Sequence, residues 1–141
     1  MSHDLPTGVY RLKNVRTGTA LDLWDGRSGP GTKVQGYQAH GGDNQKWILK
    51  WTGIGHEVTF QNLKSKTYIG APGEIADNVQ VVGTNKAVPF ILVKAESGYI
   101  LQVASNGKVL SVRGGESANE TPVIFFYSNE ADDQKWYFET V

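Results

Sequence analysis

The sequence contains no cysteine, which excludes disulfide bonds and cysteine-ligated metals and leaves the fold to be stabilised by packing. It also contains no apolar run near the roughly 20 residues that a membrane-spanning helix needs. The segment 1–6 shows no basic region followed by an apolar region, as a secretory leader would. These absences lead us to expect a soluble, cytoplasmic protein without membrane insertion.

No excess of charge of either sign is present, because 14 lysines and arginines balance 14 aspartates and glutamates. The isoelectric point is correspondingly near 6.8. A neutral chain produces no broad field that would attract nucleic acid or an anionic membrane surface. We therefore expect no nucleic-acid partner, and binding specificity must come from a local pocket.

Groups that carry catalysis or hold cofactors are scarce. The chain has three histidines, no Gly-x-Ser-x-Gly motif and one adjacent acidic pair, Asp132 and Asp133. Adjacent strand residues point to opposite faces, so this pair is not expected to form a glycosidase dyad. His56 with Glu57 lacks the second histidine of a zinc-binding helix. The sequence predicts a non-enzymatic protein with no cofactor and no metal.

The pattern that is present consists of short alternating apolar runs between Gly, Asn and Ser clusters, such as 9–12, 58–61 and 99–102. No stretch keeps a helical apolar period for three turns, so the chain is predicted to be all-β. A length of 141 residues suits a single domain that spans 1–141.

An internal repeat organises the chain. A shift of 89 residues places Gln45 on Gln134 and Trp47 on Trp136 without any gap, and a more diverged copy lies between the two. Three repeats result, at approximately 7–49, 50–93 and 94–141. Units of this length share one core and hold about four strands each. Three blades are too few for a propeller, so a closed threefold barrel is predicted.

The Gln-Lys-Trp triplets, together with Leu21-Asp22-Leu23 and Val34-Gln35-Gly36-Tyr37, resemble the Gln-x-Trp signature of fungal ricin-B-type lectins. The resemblance covers nearly the whole chain and implies a β-trefoil. We interpret the signature residues as structural: each indole fills the core, and each Gln amide fixes a loop. These residues are Gln45, Trp47, Gln134 and Trp136.

A shallow sugar site needs a carboxylate, an amide and an aromatic plate, and the first repeat supplies all three. By resemblance, Asp22 would accept two ring hydroxyls, Asn44 would bond the same pair, Tyr37 would stack, and Gln35 would orient the set. His40 would touch the rest of the glycan, or be a plain loop histidine. The resemblance implies glycoproteins or glycolipids with terminal galactose or N-acetylgalactosamine as partners.

The other two repeats depart from this pattern. In the third, the shift places Ser111 at Asp22, Phe126 at Tyr37 and Asp133 at Asn44, and Arg113 is a nearby donor. We interpret this set as a weaker or altered second site. In the second repeat, Gly70 replaces Asp22 and Val82 is the best match to Tyr37, so no galactose site of this design is expected there.

A rival interpretation is a β-trefoil protease inhibitor, because Arg27 lies in a Gly-rich surface loop that a trypsin-like enzyme would accept. Flexibility of such a loop argues against a preorganised inhibitor. Family analogy also permits a homodimer and a role in defence against feeding animals.

Overall fold

The computed structural model describes residues 5–141. Residues 1–4, part of the N-terminal segment without a leader pattern, lie outside the described residues. Within the described chain there are twelve strands, joined by turns and four one-turn 3-10 helices. The strands are β1 (Gly8–Asn14), β2 (Ala20–Leu23), β3 (Val34–Tyr37), β4 (Trp47–Trp51), β5 (Glu57–Asn62), β6 (Tyr68–Gly70), β7 (Val82–Thr84), β8 (Phe90–Lys94), β9 (Tyr99–Val103), β10 (Val109–Val112), β11 (Thr121–Phe126) and β12 (Trp136–Thr140).

Six of these strands close a barrel. The antiparallel pairs run β1–β4, β4–β5, β5–β8, β8–β9, β9–β12 and back from β12 to β1. Each repeat adds one hairpin, formed by β2–β3, β6–β7 and β10–β11. A closed barrel with three hairpins is the β-trefoil arrangement, and the predicted all-β threefold fold is confirmed.

The three hairpins meet around the pseudo-threefold axis through equivalent valines. The Val34 N–H donates to the Val81 carbonyl and the Val81 N–H donates to the Val123 carbonyl, both at 2.9 Å. The Gln80 side-chain amide donates to the Val34 carbonyl at 2.8 Å and to the Val123 carbonyl at 3.1 Å. One polar side chain of the second repeat therefore bonds to carbonyls of the two other repeats and ties the three hairpins together.

The core contains the large residue at the end of each repeat. Trp47 and Trp136 are buried, and their indole N–H groups donate to the carbonyls of Leu21 and Leu110 at 2.9 and 3.3 Å. Phe90, the counterpart in the second repeat, is also buried but has no ring N–H to donate. Each tryptophan thus ties its strand to the first strand of its own hairpin and places the hairpin over the barrel.

Candidate functional site

Asp22 is a buried carboxylate on β2, opposite Gln35 of β3, and is 2% exposed. Gln35 Nε2 donates to its Oδ1 at 3.1 Å, and Gln45 Nε2 donates to its Oδ2 at 2.9 Å. Asn44 Nδ2 lies 3.3 Å from Oδ2 and also donates to the Leu23 carbonyl at 3.0 Å. Three amides therefore fix the orientation of this carboxylate.

Burial and hydrogen bonding act in opposite directions on the pKa of the Asp22 carboxyl group. Burial raises the pKa of Asp22 above the ordinary aspartate range, while hydrogen bonds from Gln45, Gln35 and Asn44 and the nearby His40 oppose the rise. A carboxylate offers about four acceptor positions on its two oxygens. The longest of the three amide contacts, from Asn44, is the weakest and the most readily exchanged for a hydroxyl donor.

The position of Asn44 is set by the second repeat. Asn62 Nδ2 donates to the Asn44 carbonyl at 3.0 Å, while Asn62 Oδ1 accepts the N–H of Lys64 at 3.1 Å. Gly26 lies close to Lys64 and Asn44. A Cβ at this position would lie 2.9 Å from Lys64 Cγ and 3.3 Å from Asn44 Cβ. Its φ of +61° also favours glycine.

His40 and Tyr37 stand beside the carboxylate. The Gly42 N–H donates to His40 Nδ1 at 2.9 Å, so the neutral ring carries its proton on Nε2. That Nε2 lies 3.8 Å from Asp22 Oδ2. The rings of His40 and Tyr37 are 6.1 Å apart in an edge-on arrangement. A carboxylate, a ring donor and an aromatic ring are thus grouped together.

The five residues singled out from the first repeat all line one groove of about 680 Å³. The sequence reasoning missed other lining residues, of which Trp24, Lys64 and Glu120 are the most informative. Trp24 directly follows the Leu-Asp-Leu motif, and that adjacency was the available signal. Lys64 comes from the second repeat and Glu120 from the third, so no local pattern links them to Asp22.

In the third repeat, the carboxylate lies on a turn instead of a strand. Ser111 on β10 is buried opposite Ile124, as Asp22 is opposite Gln35. Asp133 lies on the 3-10 turn that packs against β10. Within the described chain, its Oδ1 atom is buried without a hydrogen-bond partner. Burial raises the pKa of Asp133, and the positive charge of Arg16 opposes the rise.

The remaining candidates of the third repeat lie at its rim. Phe126 is half-buried on β11, and its ring centroid is 4.5 Å from that of Tyr127. Arg113 is exposed and begins the 3-10 turn that contacts the turn of Asp133. Asn14 Nδ2 donates to the Asp133 carbonyl at 2.9 Å, as Asn62 does to Asn44. The backbone framework of the first-repeat site is therefore reproduced here with different side chains.

The second repeat lacks this arrangement. A Cβ at Gly70 would lie 2.8 Å from Thr84 Oγ1, so the space that Asp22 fills in the first repeat is closed. The match of Val82 to Tyr37 is wrong, because Val82 pairs with Gly70 as Gln35 pairs with Asp22. Thr84 stands at the Tyr37 position, and it offers no aromatic plate.

Arg27 is held within its own loop. Its Nε donates to Asp25 Oδ2 at 3.1 Å, and its guanidinium carbon lies 4.8 Å from the centre of the Trp24 ring. All three side chains line the groove that contains Asp22. Arg27 therefore lines this groove while its side chain is 62% exposed.

The described residues contain neither a metal-binding cluster nor a membrane-spanning helix. Residues 5–141 contain no cluster of three or more His, Asp or Glu side chains arranged to hold a metal ion. In the same part of the chain, no helix has the length and apolar character needed to cross a membrane.

Known proteins resemble this chain over nearly its full length. The agglutinin of Sclerotinia sclerotiorum is 26% identical over 131 residues, which cover 84% of this chain and 86% of that protein. The crystal structure of the Rhizoctonia solani agglutinin has a TM-score of 0.97 and 50% identity, and all of both chains is covered. The Macrolepiota procera ricin B-like lectin, solved in complex with lactose, has a TM-score of 0.86 and 26% identity, and covers 99% of this chain and 100% of its own.

A family model for ricin-type β-trefoil lectin domain-like proteins matches residues 2–84 and 43–126. These matches together extend over more than half of the sequence and contain every first-repeat site residue. The lectins and agglutinins among the relatives support carbohydrate binding. The chain belongs to the ricin-type β-trefoil lectin-like family.

Proposed function

We propose that the protein is a non-catalytic lectin that binds terminal galactose or N-acetylgalactosamine on glycoproteins or glycolipids, with its main site in the first repeat. The observation that carries the proposal is the Asp22 carboxylate, oriented by amides at the base of a groove beside Tyr37. The lactose complex of the Macrolepiota procera lectin supports it, because lactose ends in galactose.

The proposed chemistry uses each grouped side chain. Adjacent ring hydroxyls of the sugar donate to Asp22, and one of them replaces the long Asn44 contact. Tyr37 covers the apolar face that an axial 4-hydroxyl leaves continuous. Gln35 holds the carboxylate in place, and His40 contacts the ring substituent or the acetamido group. An epimer would leave a buried polar group without a partner, which gives the selectivity.

The third repeat is proposed as a second, weaker site. Asp133 is half-buried on its turn, and its carboxylate is the acceptor proposed for a sugar hydroxyl. Phe126 supplies an aromatic surface and Arg113 a donor, while Ser111 supplies a hydroxyl in place of the first-repeat carboxylate. Because the acceptor is on the turn, its preference among sugars differs from that of the first site.

Each site alone would bind weakly. A shallow site with few contacts has a dissociation constant on the order of a millimolar, near −4 kcal/mol. Strong binding to a cell surface then requires more than one sugar site in each protein molecule or oligomer. The second site, or a homodimer that brings two first-repeat sites together, provides it.

The experiment that tests the proposal is a glycan array probed with labelled protein, with and without free N-acetylgalactosamine and galactose. We expect binding to glycans that end in either sugar and loss of that binding with the free competitors. Binding that glucose or mannose inhibits equally well, or an array with no signal, would contradict the proposed specificity.

A further inference from the structure

Trp24, Asp25 and Arg27 form a polar and aromatic surface at one end of the groove, and we call these three residues the Trp24 platform. Trp24 is half-buried, with Arg27 over its ring and Asp25 holding Arg27. All three line the groove of Asp22 and also a second groove. The platform therefore borders both grooves.

The platform repeats the chemistry of the main site. It combines an aromatic ring, a carboxylate acceptor and guanidinium donors, which is the set that a sugar ring requires. Arg27 uses its Nε–H on Asp25, so the other guanidinium N–H groups remain available to hydroxyls. The 62% and 64% exposure of the Arg27 and Asp25 side chains leaves both accessible to a ligand.

The platform belongs to the first repeat alone. Asp25 has a φ of +53°, a region that disfavours residues with a Cβ. Gly114, at this position in the third repeat, also has a positive φ, of +65°, and the second repeat has Gly73 there. The corresponding sets in the second and third repeats contain no aromatic residue; they are Pro72, Gly73 and Ile75, and Arg113, Gly114 and Glu116.

We infer that the Trp24 platform binds the second sugar ring of a glycan whose terminal galactose is held by Asp22. This inference rests on the proposed function. A terminal galactose is joined to the rest of the glycan by one glycosidic bond, at its C1 oxygen. One second ring therefore lies directly beside the galactose. The groove of about 680 Å³ has room for both. The preferred ligand is thus a disaccharide end, which gains contacts that a monosaccharide lacks.

The test compares methyl β-galactoside with methyl β-lactoside by NMR titration of the full chain. We expect the wild-type protein to bind the lactoside about two- to tenfold more tightly, as one aromatic contact allows. Trp24→Ala should abolish that preference and leave the galactoside affinity unchanged, and Trp24→Phe should retain it. Tyr137→Ala, at an exposed aromatic residue of β12 that lines neither groove, is the control that should keep the preference.

The inference would be overturned by a wild-type protein without a lactoside preference, or by a preference that persists in Trp24→Ala. It would also be overturned if Trp24→Ala weakened both sugars equally, or if the Tyr137→Ala control removed the preference as well. A wild-type protein that binds neither glycoside would overturn the proposed function as well. Thermal melting of each variant establishes that the fold is retained.

Discussion

Gln45 Nε2 donates a 2.9 Å hydrogen bond to Asp22 Oδ2, which joins the Gln-x-Trp signature directly to the candidate site. The same amide group donates to the Gln38 carbonyl at 3.0 Å, and Gln45 Oε1 accepts the His40 N–H at 2.9 Å. Gln134 makes the equivalent loop contacts in the third repeat: its Nε2 donates to the Tyr127 carbonyl, and its Oε1 accepts the Asn129 N–H. Ser111 occupies the position there that Asp22 has in the first repeat. The two glutamines therefore differ by the contact with the carboxylate.

This difference leads to a matched prediction. Gln45→Glu places a second carboxylate against Asp22 and removes a donor, so it should lower the free energy of unfolding more than Gln134→Glu does. We expect a difference of at least about 1 kcal/mol, because the buried Asp22 carboxylate loses one of its three donors and gains a like charge beside it. Urea denaturation of both variants measures it. Equal losses would mean that the bond to Asp22 contributes little to the fold.

Asp22→Ala should abolish galactose binding in the first repeat while the chain still folds. Three amide contacts are lost, of which Gln45 and Asn44 keep backbone acceptors and Gln35 does not, so we expect unfolding to become easier by about 1–3 kcal/mol. Sugar titration followed by calorimetry checks the affinity, and thermal melting checks the fold. Ser111→Ala changes the equivalent third-repeat position and should leave the first site intact. Normal sugar affinity in Asp22→Ala would show that the site is placed incorrectly.

Sugar binding should be lost in acid at a higher pH than an ordinary aspartate would give. Binding requires the charged carboxylate, and burial raises the pKa of Asp22 above its usual value of about 3.9. Affinity should therefore fall as the pH drops through that raised pKa. A titration series from neutral to acidic pH measures the midpoint. Affinity that is unchanged down to about pH 3.9 would contradict the assignment.

The free energy of unfolding should depend on the titration of Asp22 in the opposite direction to the sugar affinity. A raised pKa means that the folded state binds the proton more tightly than the unfolded state. Titration of Asp22 therefore lowers the free energy of unfolding as the pH rises through this window.

His40→Gln removes the nearby histidine, and the acid loss of sugar binding should persist in this variant. Loss of the pH dependence in His40→Gln would transfer the effect to His40.

Trp47→Ala should damage folding itself. The indole is buried and donates to the Leu21 carbonyl, and truncation of a buried aromatic residue costs about 3–5 kcal/mol. Such a loss is a large fraction of the stability of a small domain. Tyr137→Ala, at a residue 45% exposed on β12, is the control and should cost little. Comparable denaturation midpoints for the two variants would contradict the structural role of Trp47.

Asp133→Ala should remove the second site and leave the first. We expect the Asp22→Ala variant to keep a weak residual sugar binding. The double variant Asp22→Ala/Asp133→Ala should lack it. Since Asp133 Oδ1 has no hydrogen-bond partner within the described chain, its removal should not reduce stability in the way that Asp22→Ala does. Titration of the single and double variants measures both effects. An unchanged residual affinity in the double variant would exclude Asp133 from the second site.

The sequence predicted the fold because the evidence for it is repeated along the chain. Trp47 and Trp136 recur in register, and a repeated short unit must share its core with its copies. It did not predict the burial of Asp22 or the approach of Lys64 and Glu120, because those contacts join residues that are distant in sequence.

The second repeat was aligned incorrectly for a specific reason. The hairpin loop of the second repeat is one residue shorter than that of the first, when Gly70 to Val82 is compared with Asp22 to Gln35. The segment after the hairpin is four residues shorter, when Thr84 to Phe90 is compared with Tyr37 to Trp47. Most of the shortening thus follows β7. A loop deletion leaves no local signal of its position when the flanking residues have diverged, and strand pairing was needed to locate it.

The most direct test of the central claim is an NMR titration of the ¹⁵N-labelled protein with N-acetylgalactosamine, for the wild type and Asp22→Ala. The account predicts that the amide signals that shift most at low sugar concentration belong to the groove around Leu23, Tyr37, His40 and Asn44. It also predicts that these shifts vanish in Asp22→Ala. Shifts that cluster elsewhere in the wild type, or that persist unchanged in Asp22→Ala, would contradict it.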